Sequence, residues 1–464
     1  MSSRRSAMSL NELTISGFHT ALRQQTTSCA TVTRTYLDRI AQHDQTLQSL
    51  ICINNAALET AEKKDEEAKS FIKSNKPFPA LHGVPVILKD NYGTHDLPTS
   101  AGAKALRTLC TAEDSTVVSN IRNAGAIILA KANLHEFALH GTTTSSLGGQ
   151  TRNPYDLTRT PGGSSGGTAA ALAANLGLVG CGTDTMNSLR SPASACAIVG
   201  FRPTLGTISC RGIVPVSETQ DVAGPMARTV GDLRVLYGVM KGDSHHVPRE
   251  DSSTRNIRIG VLEAYFGLEE EESSLPAELV VENQGVQRVV RNAISSISEA
   301  ANITLVPVQP TADWRLATLL ARADTQSFEF RESLDTFLQS EIVSSTPHRT
   351  LESIAQSGEF HRDAITEAFT EPLENPDVYS RSSAEYRARL EFIASLKESV
   401  QRCFEIYGID ALVYPHQRQL AVHIGATRQP RRNGVLAALT GRPAICLPGK
   451  LLPSISLVQK EVQG

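Results

Sequence analysis

The chain has 464 residues, 40% hydrophobic and 20% charged, enough to bury a sizeable core in one large or two fused units but too few for a string of modules. Its 45 Lys and Arg face 48 Asp and Glu, and a net charge of -3 gives no general reason to bind polyanions, so nucleic acid is disfavoured as the main partner. Eight scattered cysteines without a C-x-x-C pair argue against a zinc knuckle or redox motif and fit free thiols in a reducing compartment.

The start, Met1 to Leu10, carries Arg4 and Arg5 but turns polar at Asn11 and Glu12, unlike a secretory signal. The longest mostly apolar stretch, Ala169 to Val179, is broken by Asn175 and Gly177 and falls short of the roughly 20 residues a membrane span needs. A cytoplasmic protein with no membrane span is expected. From Leu10 to Phe71 apolar residues recur at helical spacing, and the charged run Glu62 to Lys69 reads as a solvated helix face, giving an N-terminal helical segment over residues 1–75. Between Leu81 and Gly231 Gly, Ser, Thr, Ala and Pro take over. Short apolar runs at Val84–Leu88, Ala126–Ala130 and Leu178–Cys181 alternate with helix-like segments, which is an α/β layout.

A second α/β part opens at Asn256, where Ile257, Ile259 and Val261 alternate as in a strand. Val286, Val289, Val290, Ile294 and Ile297 then follow at helical spacing, and Ile303, Leu305 and Val308 suggest a return strand. Thr311 to Val400 reads as charged helix, and Ala411–Tyr414 and Pro443–Leu447 as late strands. The expected fold is α/β, a mixed central sheet flanked by helices, with a core at 76–240 and a second part of the same domain at 241–464.

The densest motif is Pro161-Gly162-Gly163-Ser164-Ser165-Gly166-Gly167-Thr168, followed by an Ala-rich helix that Gly177 is expected to close. A flexible linker would not lead straight into a helix and a buried strand. The run lacks the lysine of a phosphate-binding P-loop, and Thr151 to Thr160 are too polar for the strand that precedes a hydrolase nucleophile elbow. A helix over 166–176 advances about 16 Å, and a strand over 178–182 returns about the same distance. Gly182 to Arg190 therefore lies near Ser164, which puts the hydroxyls of Ser164 and Ser188 in one site beside a run of loop amides, the arrangement acyl transfer needs.

A serine nucleophile needs a base, and none of the twelve histidines sits in a triad signature. His135 and His140 are five apart rather than four, which turns them about 140° away from each other on a helix and argues against metal. Lys89, at the end of the apolar run Val84 to Leu88, is the other candidate. Lowering its pKa from about 10.4 to near 7 to 8 costs roughly 3 to 5 kcal/mol, within what burial imposes. Pairing with Asp90 or reaching out to solvent is the ordinary alternative for a lysine.

Taken together, Gly83-Val84-Pro85-Val86 to Lys89-Asp90, Lys131-x-Asn133 with Glu136-Phe137-Ala138, the Gly162–Gly167 run, and Gly182-Thr183-Asp184 to Ser188-x-Arg190 closely resemble the amidase signature family. Gly200-Phe201-Arg202-Pro203-Thr204, Gly206, and Asp221 with Gly224-Pro225 continue the match. The resemblance implies the family's fold and a Ser-cisSer-Lys hydrolase of carboxamides that uses no metal or organic cofactor. By position, Ser188 corresponds to the acyl-forming nucleophile, Ser164 to a bridging serine after a cis peptide, and Lys89 to the base. The amides of Thr185, Met186, Asn187 and Ser188 correspond to the oxyanion hole, and Asp184 and Arg190 to supporting polar residues. The implied partner is a small-molecule amide, and a homodimer is compatible with it.

Two departures carry expectations. Met186-Asn187 replaces the family's Gly-Gly; Asn tolerates positive φ, so the amides can still point inward while both side chains narrow or polarise the acyl pocket. After Pro443–Gly449 the chain stops at Gly464, so the end looks shortened and the sheet is expected to lack an edge. Two competing functions are the glutamine-hydrolysing A subunit of a tRNA-dependent amidotransferase and a non-catalytic member of the fold.

Overall fold

The computed structural model describes residues 12–243, 256–270, 272–299 and 302–448. Residues 1–11 and 449–464, on which the signal-peptide and shortened-end expectations rest, lie outside the described residues. Ten strands carry the architecture: β1 Leu50–Ile53, β2 Pro85–Lys89, β3 Ile127–Ala132, β4 Val179–Asp184, β5 Val199–Arg202, β6 Val222–Ala227, β7 Ile257–Leu262, β8 Ile303–Val308, β9 Ala411–Val413 and β10 Ala444–Cys446.

Seven of them form one mixed sheet in the order β1-β3-β2-β4-β6-β5-β10. β2 runs parallel to both β3 and β4, and the remaining pairs are antiparallel. Both faces of the centre are covered, so Val86, Ile87 and Leu88 are all fully buried and the strand reads as one apolar run. A smaller sheet, β8-β7-β9, is parallel throughout, and the helix Ala277–Ser298 makes the crossover from β7 to β8. The helical N-terminal stretch also contains β1, which helical spacing conceals; it pairs with β3 at Leu50↔Ala132. β10 lies beside β5 at the outer position of the large sheet among the described residues.

The Ala-rich helix runs from Gly166 to Ala173, shorter than expected. Asn175 takes the left-handed conformation, φ 57°, and the chain leaves the helix there; Gly177 is not the stop. At Gly177 an added Cβ would lie 2.6 Å from Ile87 Cδ1, so that glycine serves close packing instead. The charged run is a helix face as expected, with Lys64 and Lys69 paired to Glu67 and Glu66. Asp65 differs, because its carboxylate accepts the Cys29 and Ala30 amides at 2.6 and 3.0 Å and caps the helix Cys29–Leu47. All eight cysteines are free thiols. Among the described residues no helix is long and apolar enough to cross a membrane.

Candidate active site

Because β2 and β4 are parallel with Leu88 opposite Cys181, the carboxyl ends of both strands reach the same edge of the sheet. That edge is where open α/β sheets place ligands. It brings Lys89, last in β2, to Thr183 and Asp184, last in β4. Lys89 is fully buried, and its Nζ lies 2.7 Å from Ser164 Oγ and 2.8 Å from Thr183 Oγ1. Asn91 Nδ2 also donates to Thr183 Oγ1, at 3.1 Å. The ordinary alternative for Lys89 does not hold: Asp90 points to the other side, where it pairs with buried Lys131 at 3.1 Å and accepts from the Ser100 hydroxyl and amide. Burial pushes Lys89 down to about 7, against the opposing charges of Asp221 and Asp184. An amine at that value is half unprotonated near neutral pH.

The peptide bond from Gly163 to Ser164 is cis. The turn is held by Thr143, whose hydroxyl donates to the Gly162 carbonyl at 2.6 Å and accepts the Gly166 amide at 3.1 Å. Ser165 ties the two loops together: its amide donates to the Ser188 carbonyl at 3.2 Å and its hydroxyl donates to the Thr183 carbonyl at 3.2 Å. Ser188 is 7% exposed, and its hydroxyl has no hydrogen-bond partner among the described residues. Lys89, Ser164 and Thr183 are thus in direct contact, whereas Ser188 joins them through the backbone of Ser165.

The loop 185–188 leaves β4 with its four successive amides, of Thr185, Met186, Asn187 and Ser188, donating to no acceptor among the described residues. Buried charge holds it in that shape. Asp184, fully buried, meets Arg190 Nε at 3.0 Å and Arg202 Nη1 at 3.0 Å, and also accepts the Leu189 amide at 3.1 Å. Burial alone would raise the Asp184 carboxyl, but the two guanidiniums outweigh it and hold it well below the usual carboxylate range. Arg190 further donates to the carbonyls of Met186 and Gly434, both at 2.7 Å, and Arg202 to the carbonyls of Asp184 and Gln220. Asp221 anchors the near end: it accepts the Thr185 hydroxyl at 2.6 Å and the Val216 and Ser217 amides at 2.8 and 3.0 Å.

Neither Met186 nor Asn187 has a positive φ, so the left-handed tolerance of asparagine is not what this position uses. The Asn187 carbonyl instead accepts the Ser191 amide at 2.7 Å and starts the helix Arg190–Ala195. Asn187 is 3% exposed, and its Oδ1 is buried without a partner. Asn187 Oδ1, Arg190 Nη1 and His416 Cε1 crowd Gly434, where an added Cβ would lie 2.5 to 2.6 Å from all three. His135 and His140 are not on an α-helix; their rings meet edge to face at 5.3 Å.

Several residues at this edge carry no role in the sequence. Thr183 and Arg202 sit inside recognised motifs but look like ordinary strand residues; Asn91 follows Lys89 by two, where β2 has ended. His416 and Gly434 come from a segment without motif, and no signal in the chain points to them. A cavity of about 450 Å³ reaches Asn91, Thr183 and Asp221 on the Lys89 side and is otherwise walled by residues such as Val214, Val216 and Phe337.

The sequence profile of the Amidase family matches residues 31–458. The A subunit of glutamyl-tRNA(Gln) amidotransferase from Rippkaea orientalis is 30% identical over 94% of this chain and 89% of its own length. The protein of the same name from Thermoanaerobacter pseudethanolicus is 37% identical over 56% of this chain, a match spanning 55% of that relative. Among solved structures, the native peptide amidase of Stenotrophomonas maltophilia superposes with a TM-score of 0.78 at 27% identity, covering 97% of this chain and 95% of that one.

Proposed function

The chain belongs to the amidase family and is an amide-hydrolysing enzyme, and we propose that it cleaves a linear carboxamide to a carboxylate and ammonia or an amine through an acyl-enzyme on Ser188. The observation that carries this reading is a fully buried amine facing Ser164 beside four unpaired loop amides. In its neutral form Lys89 has one lone pair to accept the Ser164 proton and an N–H left for Thr183. Ser188 Oγ then attacks the amide carbon as its own proton passes to Ser164. The Ser188 hydroxyl has no partner among the described residues, so its contact with Ser164 has to form when substrate binds.

As the C–O bond forms, the carbonyl π electrons move to oxygen, and the amides of residues 185–188, which have no partner among the described residues, are the donors that receive that charge in this reading. Each such donor is worth about 3 kcal/mol at the transition state. Collapse breaks the C–N bond, and the proton held by Lys89 returns through Ser164 to the leaving nitrogen. Water repeats the sequence on the ester and frees the carboxylate. Asp184, Arg190 and Arg202 keep the loop in place and touch no reacting atom. The test is a serine-directed fluorophosphonate probe: wild type is expected to label and Ser188→Ala is not. Folded wild-type protein that takes no label would support a non-catalytic member of the fold instead.

A second reading draws on the amidotransferase relatives: the same residues would release ammonia from glutamine for a partner enzyme. Glutaminase activity that rises when the chain is copurified with further subunits would favour it. Met186-Asn187, in place of two glycines beside the nucleophile, supports the independent hydrolase. Asn187→Gly removes a buried, unpartnered carbonyl oxygen from this loop. It is expected to shift relative rates across primary, aryl and fatty amides by about 10-fold, the size of one buried polar contact. Unchanged ratios would take Asn187 out of substrate choice.

A further inference from the structure

Glu329 lies on the helix Gln326–Gln339 and is 0% exposed, yet no cation pairs with it among the described residues. Arg381, which donates to Ser333 one turn further along the helix, pairs with Glu218 and Glu332 instead. Four donors take the place of a counter-charge. Oε2 accepts the Ser217 hydroxyl at 2.9 Å and the Thr219 amide at 3.1 Å, and Oε1 accepts the Thr219 hydroxyl at 2.6 Å and the Tyr386 hydroxyl at 3.0 Å. An ionised carboxyl is an acceptor only, so it meets all four at once.

Three of these donors belong to the turn 217–221, which begins 112 positions before Glu329. Thr325, at the start of the same helix, adds to the clamp: its hydroxyl lies 2.9 Å from that of Thr219 and accepts the Gln220 side-chain amide at 2.8 Å. The turn closes on itself, with the Asp221 amide donating to the Ser217 carbonyl at 2.8 Å. Asp221 Oδ2 accepts the Ser217 amide, and its Oδ1 accepts the hydroxyl of Thr185, the first of the four loop amides that have no partner.

A carboxyl on a distant helix thus stands three hydrogen bonds from those amides: Glu329 to Ser217, Ser217 to Asp221, and Asp221 to Thr185. Fold stability alone gives little reason for a carboxyl at this place, because well-packed apolar side chains are often at least as stabilising as a buried charged cluster.

We propose that Glu329 is a positioning residue for the hydrolysis: through the turn 217–221 and Asp221 it fixes Thr185, and with it the amides that take up the charge of the tetrahedral intermediate. It touches no reacting atom. This inference rests on the amidase reading of the site. Glu329→Met nearly keeps the volume and accepts no hydrogen bond from the turn. Its kcat, per site titrated with fluorophosphonate, is expected to fall about 30-fold with KM changed by less than about 2-fold, because misplaced oxyanion donors cost at the transition state and not in binding. Glu329→Gln, which keeps one acceptor oxygen for Ser217 and the Thr219 amide, is expected to restore most of that loss.

A cycle with Thr185→Val, which cuts the last link, separates positioning from packing. In that background Glu329→Met is expected to lower kcat by only about 3-fold or less. A factor equal to that in wild type, as a purely structural residue would give, overturns the proposal. If Glu329→Met does not fold, Thr219→Val, expected to lower kcat about 5-fold, carries the same cycle with the same overturning result.

Hydrogen exchange in the segment 183–190, followed by mass spectrometry, keeps this outcome apart from failure of the amidase reading. Glu329→Met is expected to speed exchange of these amides about 10-fold, and unchanged exchange overturns the proposal. Faster exchange in a protein that hydrolyses no amide and takes no fluorophosphonate keeps the hold on the loop and removes the amidase reading.

Discussion

Lys89→Met is expected to lower kcat/KM by about 10³- to 10⁴-fold, and adding Ser188→Ala to lower it little further, because residues acting as one relay lose function together. The pH profile carries the same claim. With Lys89 pushed down by burial to about 7, log kcat/KM is expected to rise with unit slope below that value and to level off above it. A flat profile, or a Lys89→Met variant that retains activity, would remove Lys89 from the mechanism.

Stability makes the prediction independent of turnover. Lys89 titrates near 10.5 when unfolded and near 7 when folded, so between those values the unfolded chain binds more protons and folding becomes more favourable as pH rises. The cost of burying the charged amine is present in full below pH 7 and is gone above about 10.5. It amounts to roughly 4 to 5 kcal/mol. Lys89→Met, which carries no charge to desolvate, should therefore gain on wild type most at pH 6 and least near pH 10, as read by urea unfolding at each pH. A stability difference that does not change with pH would show that the amine is not desolvated in the native state.

The second large effect is expected at Asp184. Asp184→Asn leaves Arg190 and Arg202, 2% and 0% exposed, facing each other without their shared anion. Breaking one member out of a buried ion cluster typically costs about 3 to 5 kcal/mol, a large share of what holds a domain together. A fall of that size in urea-unfolding free energy is expected, with loss of activity as Arg190 releases the Met186 carbonyl. In wild type the Asp184 contribution is present above the unfolded carboxyl pKa near 3.8 and is lost as pH falls through the lower folded value. A destabilisation below about 1 kcal/mol would mean that the arginines do not depend on this carboxylate.

Much of this edge is legible in the chain. The run Val84 to Lys89 reads as a strand ending in a lysine, and the distance out along the helix and back along the strand places Gly182–Arg190 near Ser164. Both arguments use only local rise per residue and apolar spacing. β1 is not legible, because four strand residues between two helices leave no period to read. Glycine is the usual helix terminator, which favours Gly177 as the stop, while Asn175 turns the chain two residues earlier.

The amino-acid order determined strands β2, β3, β4 and β10 of the large sheet but not β1, β5 or β6, and it determined where the Gly/Ser turn falls, because those features depend on neighbours a few positions away. Only the tertiary structure decided that Lys89 faces Ser164, 75 positions on, while Asp90 turns to Lys131. It alone joined Arg190 to Gly434, 244 positions away. The reason is physical: desolvation and charge pairing are set by every group packed around an atom, and that company comes from all parts of the chain at once.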